Sequence, residues 1–421
     1  MKITRLSKAL LHSPSLRTAA VMALGGVGFS VGSLLLARVL PTREYGLVAL
    51  VLGIIAVGGL AAPLGLDQVA ARRGIRLDAH WRRAALIACA ATAVAVAAVA
   101  ALIYHLSPAI GVSVSLITLT VGIAQLAGGH FQGRQRLRTA VWVVQLLNGS
   151  LILAALLALA LGLDRASAVC ALLAAIALLA AAGVWQLLRR EGARGPQPSA
   201  WALRREAMPL FAVQTGNSAF LQLERLLIGP IVGLHGLAVY SVLAAFVSSP
   251  FRLLQAAVQF TLIPTLRVEG DARARRARLA REAGLVLIIV TAGSVAIWLF
   301  APPLARWLVA GRYRLPHELI AATLVSGFLK VLSGFLTAVV VSCGEARRLR
   351  LLSLICWGSI VVGVAGALAG GHWGLVGVLY GIACGWLVRC VLAAWLALPH
   401  LNARERPGGL PEEVSLRPSP R

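Results

Sequence analysis

Ionisable side chains lie within long apolar stretches of this 421-residue chain, mainly in its second half. In the run LQLERLLIG, Glu224 and Arg225 stand side by side among apolar and amide residues, and the cations Arg252, Lys330 and Arg389 follow. An ionised group is costly in hydrocarbon, so each needs a partner or a water-filled cavity. Such cations could bind an anionic ligand, because arginine holds phosphate through its planar fork and lysine acts as a point charge.

Helical spacing indicates which medium surrounds the first of these charges. Stepping 100° per residue from Gln214 to Arg225 places the polar side chains of this segment within an arc of roughly 160°. The members of the arc are Gln214, Asn217, Ser218, Gln222, Glu224 and Arg225. The opposite side is apolar, so we predict that Glu224 and Arg225 face protein or water and not lipid.

Two later segments repeat the pattern. Spacings of three and four residues predict one helical stripe of Ser248, Arg252, Gln255 and Gln259, and another of Thr323, Ser326, Lys330, Ser333 and Thr337. An arginine or lysine at the centre of a membrane helix costs about 2.5 to 3.5 kcal/mol. We therefore predict a cationic and polar substrate-binding cavity, with these residues as its candidates: Arg252, Lys330, Arg225, Gln214, Asn217, Gln255 and Gln259.

The same residues allow a purely structural interpretation, which the sequence leaves open. Arg225 could pair with Glu224, and Arg389 could extend to the membrane interface. Amide side chains could bridge helices by hydrogen bonds. Glu224 and Asp67 are the candidates for a gate or an ion pair, since Asp67 stands close to Arg72 and Arg73 in the sequence.

The elements that must position these side chains are membrane-spanning helices. The chain is 59% hydrophobic and 13% charged, with a mean hydropathy of +0.84, which a soluble core of this length does not need. Apolar windows of about 20 residues, the length that spans a bilayer as a helix, predict twelve spans. They are 18–40, 44–66, 84–106, 109–129, 140–162, 167–188, 207–229, 237–262, 283–303, 318–342, 351–370 and 375–397. The predicted fold class is an all-α integral membrane protein of about twelve helices.

The distribution of basic residues predicts the orientation. Although the formal net charge is +25, most of the 40 lysines and arginines lie in the termini and in every second connection. By the positive-inside rule, both termini are predicted to be cytoplasmic. The basic runs are short and regularly placed between spans, so we expect no nucleic-acid partner.

The longest polar connection divides the spans into two sets of six. We expect an interfacial segment at 1–17, an N-lobe at 18–188, a cytoplasmic linker at 189–206, a C-lobe at 207–397 and a cytoplasmic, disordered tail at 398–421. Two short echoes support a repeat: FQGRQRLR with CGEARRLR, and ARVLPTREYGLVA with IGPIVGLHGLAVY. The halves would be parallel repeats, as in several transporter folds.

Signatures of catalysis and of metal binding are missing from the sequence. The six cysteines lie in or beside the helices without metal-ligand spacing, and no nucleotide-binding loop, GxSxG turn or paired carboxylate occurs. The apolar run after the N-terminus is long enough to span and carries no clear cleavage site. We therefore expect no enzyme activity, catalytic residue, metal site or cofactor, and no direct use of ATP by this chain.

Several segments carry a resemblance to a known family. They are LLLARVLPTREYGLVAL…LGLDQVAARR, LQLERLLIGPIVG…LAVY, AGRY and GHWGLVGVLYGIACG. Together they resemble the polysaccharide-biosynthesis (O-antigen and exopolysaccharide) flippases of the multidrug/oligosaccharidyl-lipid/polysaccharide exporter superfamily. The family pattern usually has Asp where Glu224 stands and a second Gly near Leu237, and these departures weaken the transfer of single-residue roles.

The resemblance implies a multi-pass protein of the bacterial inner membrane. It would move an undecaprenyl-pyrophosphate-linked oligosaccharide from the cytoplasmic to the periplasmic leaflet by alternating access. Its partners would be the polyprenyl-pyrophosphate-linked glycan, the lipid bilayer, and a glycan polymerase and glycosyltransferases. Two alternatives stay open: an ion-coupled multidrug exporter of the same superfamily, which would favour acidic cavity residues, and a membrane-embedded glycan polymerase or ligase, which would need a large outer loop.

Overall fold

The computed structural model describes residues 14–74, 78–190, 200–247, 250–251, 254–255, 272–343 and 346–402. Helices make up nearly all of these residues, and no strand occurs among them. The fold is therefore all-α, as the hydropathy pattern predicts. We call residues 14–190 the N-half and residues 200–402 the C-half. The predicted tail at 398–421 and the interfacial segment at 1–17 lie mostly outside the described residues.

The described residues of the N-half form eight helices. They are α1 (Pro14–Val39), α2 (Thr42–Ala61), α3 (Leu66–Arg73), α4 (Ala79–Tyr104), α5 (Pro108–Gly133), α6 (Leu137–Val144), α7 (Leu146–Ala160) and α8 (Ala166–Arg190). The short α3 begins after Gly65 and ends at Gly74, both with positive φ, a conformation that glycine adopts without steric cost. Helix α5 is central in this half and packs against α2, α3, α4, α6 and α8.

The described C-half contains seven further α-helices. They are α9 (Ala200–Leu221), α10 (Leu223–Val232), α11 (Leu234–Phe246), α12 (Ala272–Leu308), α13 (His317–Cys343), α14 (Ala346–Gly370) and α15 (Gly374–Asn402), with a 3-10 turn at Gly371–Trp373. Helix α15 packs closely on α14, because Gly366 and Gly381 leave no side chain between the two backbones.

Helix lies on every predicted span, in whole or in part. Within the described residues, seven helical segments are long and apolar enough to cross a membrane, or eight if the bent pair α6 and α7 forms one span. One of these segments, Arg350–Leu398, covers two of the predicted spans. The count of twelve spans and the side of the termini therefore stay predictions. Large apolar side chains such as Leu102 and Ile288 are exposed on the outer surface, as lipid contact requires.

The two halves meet along helix α2, which runs beside α9, α10 and the start of α11. We call this contact the seam. We call the end at which Gly65, Arg72 and Arg73 lie the basic end, and the end at which Gly46 lies the far end. Four contacts mark the seam from the basic end to the far end: Gly65 with Ala207, Ala56 with Ser218, Gly53 with Arg225, and Gly46 with Leu234.

Candidate functional site

Glu224 of α10 and Lys330 of α13 form a buried ion pair in the C-half. Both residues are only 1% exposed. Glu224 Oε1 accepts hydrogen bonds from Lys330 Nζ and from Ser326 Oγ, the latter at 2.9 Å. Thr323 and Ser333 of the same predicted stripe are also buried. The acidic partner of Lys330 is thus Glu224, and the pair joins two helices of the same half.

Arg225 points the other way, into the seam. A Cβ at Gly53 of α2 would lie 3.0 Å from Arg225 Cβ, so a glycine there admits the arginine stem. The guanidinium lies 5.0 Å from the ring centre of Phe29 on α1, and Nη1 donates to Gln222 Oε1 at 3.4 Å. A turn at Gln222 separates α9 from α10 and so sets the direction of the charges that follow it. Arg225 is therefore a buried cation placed between the halves.

Arg389 on α15 is buried inside the C-half. It is 4% exposed, and its Nη2 donates to Asn217 Oδ1 on α9 at 3.1 Å. Phe220 and Trp386 stack in parallel with ring centres 3.9 Å apart, and the guanidinium lies 5.8 Å and 5.3 Å from their centres. Asn217, a predicted site residue, therefore accepts a hydrogen bond from Arg389. The sequence had left open that Arg389 extends to the membrane interface.

Asp67 and Gln214 meet at the basic end of the seam. Asp67 is the second residue of α3 and is 2% exposed. Its Oδ2 accepts from Gln68 Nε2 at 3.0 Å and from Gln214 Nε2 of α9 at 3.4 Å. Burial raises the pKa of Asp67, and the hydrogen bonds from Gln68 and Gln214 oppose that rise. This contact links the halves through a carboxylate and an amide.

At the basic end, Arg72 and Arg73 form their ion pairs with Glu206 and not with Asp67. Arg73 Nε lies 2.6 Å from Glu206 Oε2, and Arg72 Nη1 lies 3.7 Å from Glu206 Oε1. Glu206 belongs to α9, so these arginines connect α3 of the N-half to the C-half. Sequence reasoning missed Glu206, although a lone glutamate after two arginines, directly before a predicted span, is a usable signal.

The remaining predicted site residues lie on the segment after α11. Gln255 is buried against α13, where a Cβ at Gly334 would lie 2.6 Å from its Cγ. Arg252 and Gln259 lie outside the described residues. Within the described part of the chain, no group of three or more histidine, cysteine or acidic side chains is arranged to hold a metal ion.

The far end of the seam is also in contact. Tyr45 of α2 and Tyr313 of the C-half meet edge to face, with ring centres 6.2 Å apart. Arg312 Nη1 donates to the carbonyl oxygen of Leu40 at 3.5 Å, and Tyr104 donates to that of Leu226 at 3.2 Å. The halves therefore touch at both ends of the seam, and Arg225 is enclosed between those contacts.

The sequence matches the model of a protein family described as polysaccharide biosynthesis protein, over residues 18–267. The chain belongs to this family. The matched region includes Asp67, Gln214, Glu224 and Arg225, whereas Lys330 and Arg389 lie beyond it. No curated protein matches the chain.

Solved structures that resemble this member of the polysaccharide biosynthesis family are membrane transporters. An inward-facing multidrug resistance MATE family transporter of the MOP superfamily has a TM-score of 0.64 at 15% identity, covering 94% of this chain and 98% of its own. The lipid II flippase MurJ, in an inward closed conformation, has a TM-score of 0.65 at 10% identity, covering 92% and 91%.

A third structure is a MOP superfamily transporter from Pyrococcus furiosus Vc1, described as having a binding pocket of reverse polarity. Its TM-score is 0.59 at 14% identity, and the match covers 94% of this chain and 98% of that one. At these identities the likeness establishes the fold. The protein is thus a multi-pass membrane protein of the polysaccharide biosynthesis family, with the fold of these transporters.

Proposed function

We propose that the protein is a flippase for a polyprenyl-pyrophosphate-linked oligosaccharide of O-antigen or exopolysaccharide synthesis. It would act in the bacterial inner membrane and move its substrate from the cytoplasmic to the periplasmic leaflet. Family membership supports the substrate class. The observation that carries the proposal is Arg225, a buried cation on the seam between the halves.

In this proposal the halves part along α2, first at one end of the seam and then at the other. Parting would expose Arg225 together with the polar arc of α9, where Gln214 and Asn217 lie. The pyrophosphate would bind to the guanidinium, whose planar fork suits phosphate oxygens. The sugars would occupy the polar space, while the polyprenyl tail stays in lipid. Arg252, Gln255 and Gln259 remain proposed contributors to the same cavity.

Lys330 has a different place in the proposal. Its ammonium pairs with Glu224 inside the C-half, whereas Arg225 lies on the seam between the halves, so we assign the phosphate contact to Arg225 and a structural role to the pair. The same pairing makes Glu224 unsuited to the multidrug alternative, since a cationic drug would need an acidic group and Glu224 is neutralised by Lys330. The bond-forming reactions on the glycan would be catalysed by separate partner enzymes, a glycan polymerase and glycosyltransferases.

The proposal is tested in proteoliposomes that contain a fluorescent polyprenyl-pyrophosphate oligosaccharide. Arg225→Gln should slow translocation roughly ten- to hundredfold, because a charge-assisted hydrogen bond contributes about 1.5 to 3 kcal/mol. Arg225→Lys should retain part of the rate, and Arg347→Gln, at an exposed position on α14, should retain all of it. Equal rates for Arg225→Gln and wild type would remove the assigned phosphate contact, and transport of a cationic drug without the glycan lipid would favour the exporter.

A further inference from the structure

The carboxylate of Asp67 lies at a contact that must break when the halves part at the basic end. Its backbone packs against Gly129 of α5, and its side chain reaches Gln214 of α9. Asp67 Oδ1 and Gln214 Oε1 are both buried, and neither oxygen has a hydrogen-bond partner among the described residues. Each of these acceptor oxygens is therefore buried at the contact between the halves without a hydrogen-bond donor from the described residues.

No nearby cation neutralises this carboxylate within the described residues. The two arginines of its own helix, Arg72 and Arg73, pair with Glu206. Other elements near α3 also carry titratable or charged groups, among them His80, Arg82, Arg83 and Cys89 of α4, His130 of α5, and Arg205 and Glu206 of α9. Asp67 thus differs from Glu224, whose charge is met by Lys330.

We propose that Asp67 binds a proton when the two halves close at the basic end, and releases it when they part. Protonation converts the carboxylate to a carboxylic acid, whose O–H can donate to an oxygen acceptor such as Gln214 Oε1. The proton comes from water and returns to water when opening hydrates the side chain. A metal ion fits less well, because hard cations take about six or more oxygen ligands.

The electrostatics of burial act in the same direction. Removing a carboxylate from water disfavours its charged form, and burial raises the pKa of Asp67. Closure is therefore strengthened at low pH and weakened as the pH rises through that raised pKa. Because the basic end is predicted to face the cytoplasm, opening there would release the proton into the cytoplasm. This inference requires only that the halves separate, and it does not depend on the substrate being a glycan lipid.

The experiment measures closure directly, without any substrate. Spin labels on cysteines at the exposed positions Gln132 of α5 and Arg347 of α14 report the distance between the halves in nanodiscs, in a background without other cysteines. For wild type, the short-distance population should grow as the pH falls from about 8 to 5, with a midpoint above the ordinary range of aspartate. Asp67→Asn should hold the short distance at every pH.

Glu206→Gln is the matched control, since it removes another acidic contact at the same end. It should weaken closure at all pH values and move the midpoint to lower pH, while the short-distance population still grows as the pH falls. A titration of Asp67→Asn identical to that of wild type would overturn the proposal. Closure by sodium at a fixed pH of about 8, with potassium as the control salt, would also overturn it in favour of a metal cation.

A second readout keeps the native side chain, so it does not depend on folding of the Asp67→Asn variant. Infrared spectra of wild type at low pH should contain the carbonyl band of a protonated carboxylic acid. That band should disappear with the same midpoint as the short-distance population. A band that persists while the halves open would contradict a proton released on opening.

Discussion

Two buried carboxylates of this protein have contrasting surroundings. Glu224 lies inside the C-half, where it accepts from Lys330 and Ser326 of α13. Asp67 lies between the halves, where its contacts are the amides of Gln68 and Gln214. Within the part of the chain that the structure describes, Glu224 is neutralised by a cation and Asp67 is not.

The difference separates a structural role from a responsive one. A neutralised pair within one half keeps its partners while the halves move, so it fixes the packing of α10 against α13. An un-neutralised carboxylate at a contact that opens and closes changes its hydration with each movement, and its protonation follows. Glu224 and Asp67 should therefore respond differently to mutation and to pH.

The largest expected effect is at the neutralised pair. Lys330→Met leaves Glu224 buried without its cation, which should destabilise the protein by about 3 to 5 kcal/mol. The measurement is thermal unfolding in detergent, together with the amount of protein in the membrane. The double variant Glu224→Gln with Lys330→Met should recover most of the loss. If the single variant is as stable as wild type, the pair does not hold α10 and α13 together.

A smaller effect is expected at the far end of the seam. At Gly46 a side chain would collide with the carbonyl of Leu234, so Gly46→Ala should cost about 1 to 3 kcal/mol, part of it relieved by separation of the halves. A cysteine placed at buried Ser33 should then react faster with a water-soluble thiol reagent. Gly111→Ala is the control, because that site faces open space. Unchanged reactivity would show that the far end does not open in this way.

Asp67→Asn should change the pH dependence of stability more than stability itself. A carboxylate whose pKa is raised by burial stabilises the folded state below its usual pKa, and this contribution is lost as the pH rises through the raised value. A tenfold gain in proton affinity on folding corresponds to about 1.4 kcal/mol. Unfolding temperatures of wild type should therefore fall more between pH 5 and about 8 than those of the variant. Parallel curves would contradict an un-neutralised Asp67.

The smallest effect is expected for Glu206→Gln. The side chains of Arg72 and Arg73 are 62% and 51% exposed, so water and salt screen their pairing with Glu206. Loss of such a pair should cost no more than about 1 kcal/mol, and less at high salt. Unfolding at low and high ionic strength measures it. A larger loss that is insensitive to salt would mean that Glu206 is more strongly coupled to the seam than its exposure indicates.

Much of the fold follows from local sequence properties. Long apolar windows place helices, and the stripe around Lys330 predicts a buried polar face because three- and four-residue spacings lie on one side of a helix. The direction of Arg225 depends on the turn at Gln222, which a continuous helical projection does not include.

Partners on other helices could not be predicted from one sequence. Glu224 and Lys330 are 106 residues apart, and Asn217 and Arg389 are 172 apart, so only tertiary packing brings each pair together. For the same reason the sequence suggested an ion pair between Asp67 and its neighbours Arg72 and Arg73, whereas in the fold both arginines pair with Glu206. The binding roles proposed for Arg252 and Gln259 stay predictions.

If transport requires the halves to part along α2, a reversible cross-link across the seam should stop it. Ser218 of α9 donates to the carbonyl oxygen of Ala56 on α2 at 3.1 Å, so cysteines at these two positions should form a disulfide across the seam. Oxidation should stop translocation of the glycan lipid in proteoliposomes, and reduction should restore it. A control pair at Ala85 and Leu126, which pack within the N-half, should transport in both states. Full transport by the oxidised variant with cysteines at Ala56 and Ser218 would show that transport does not require the halves to part along α2.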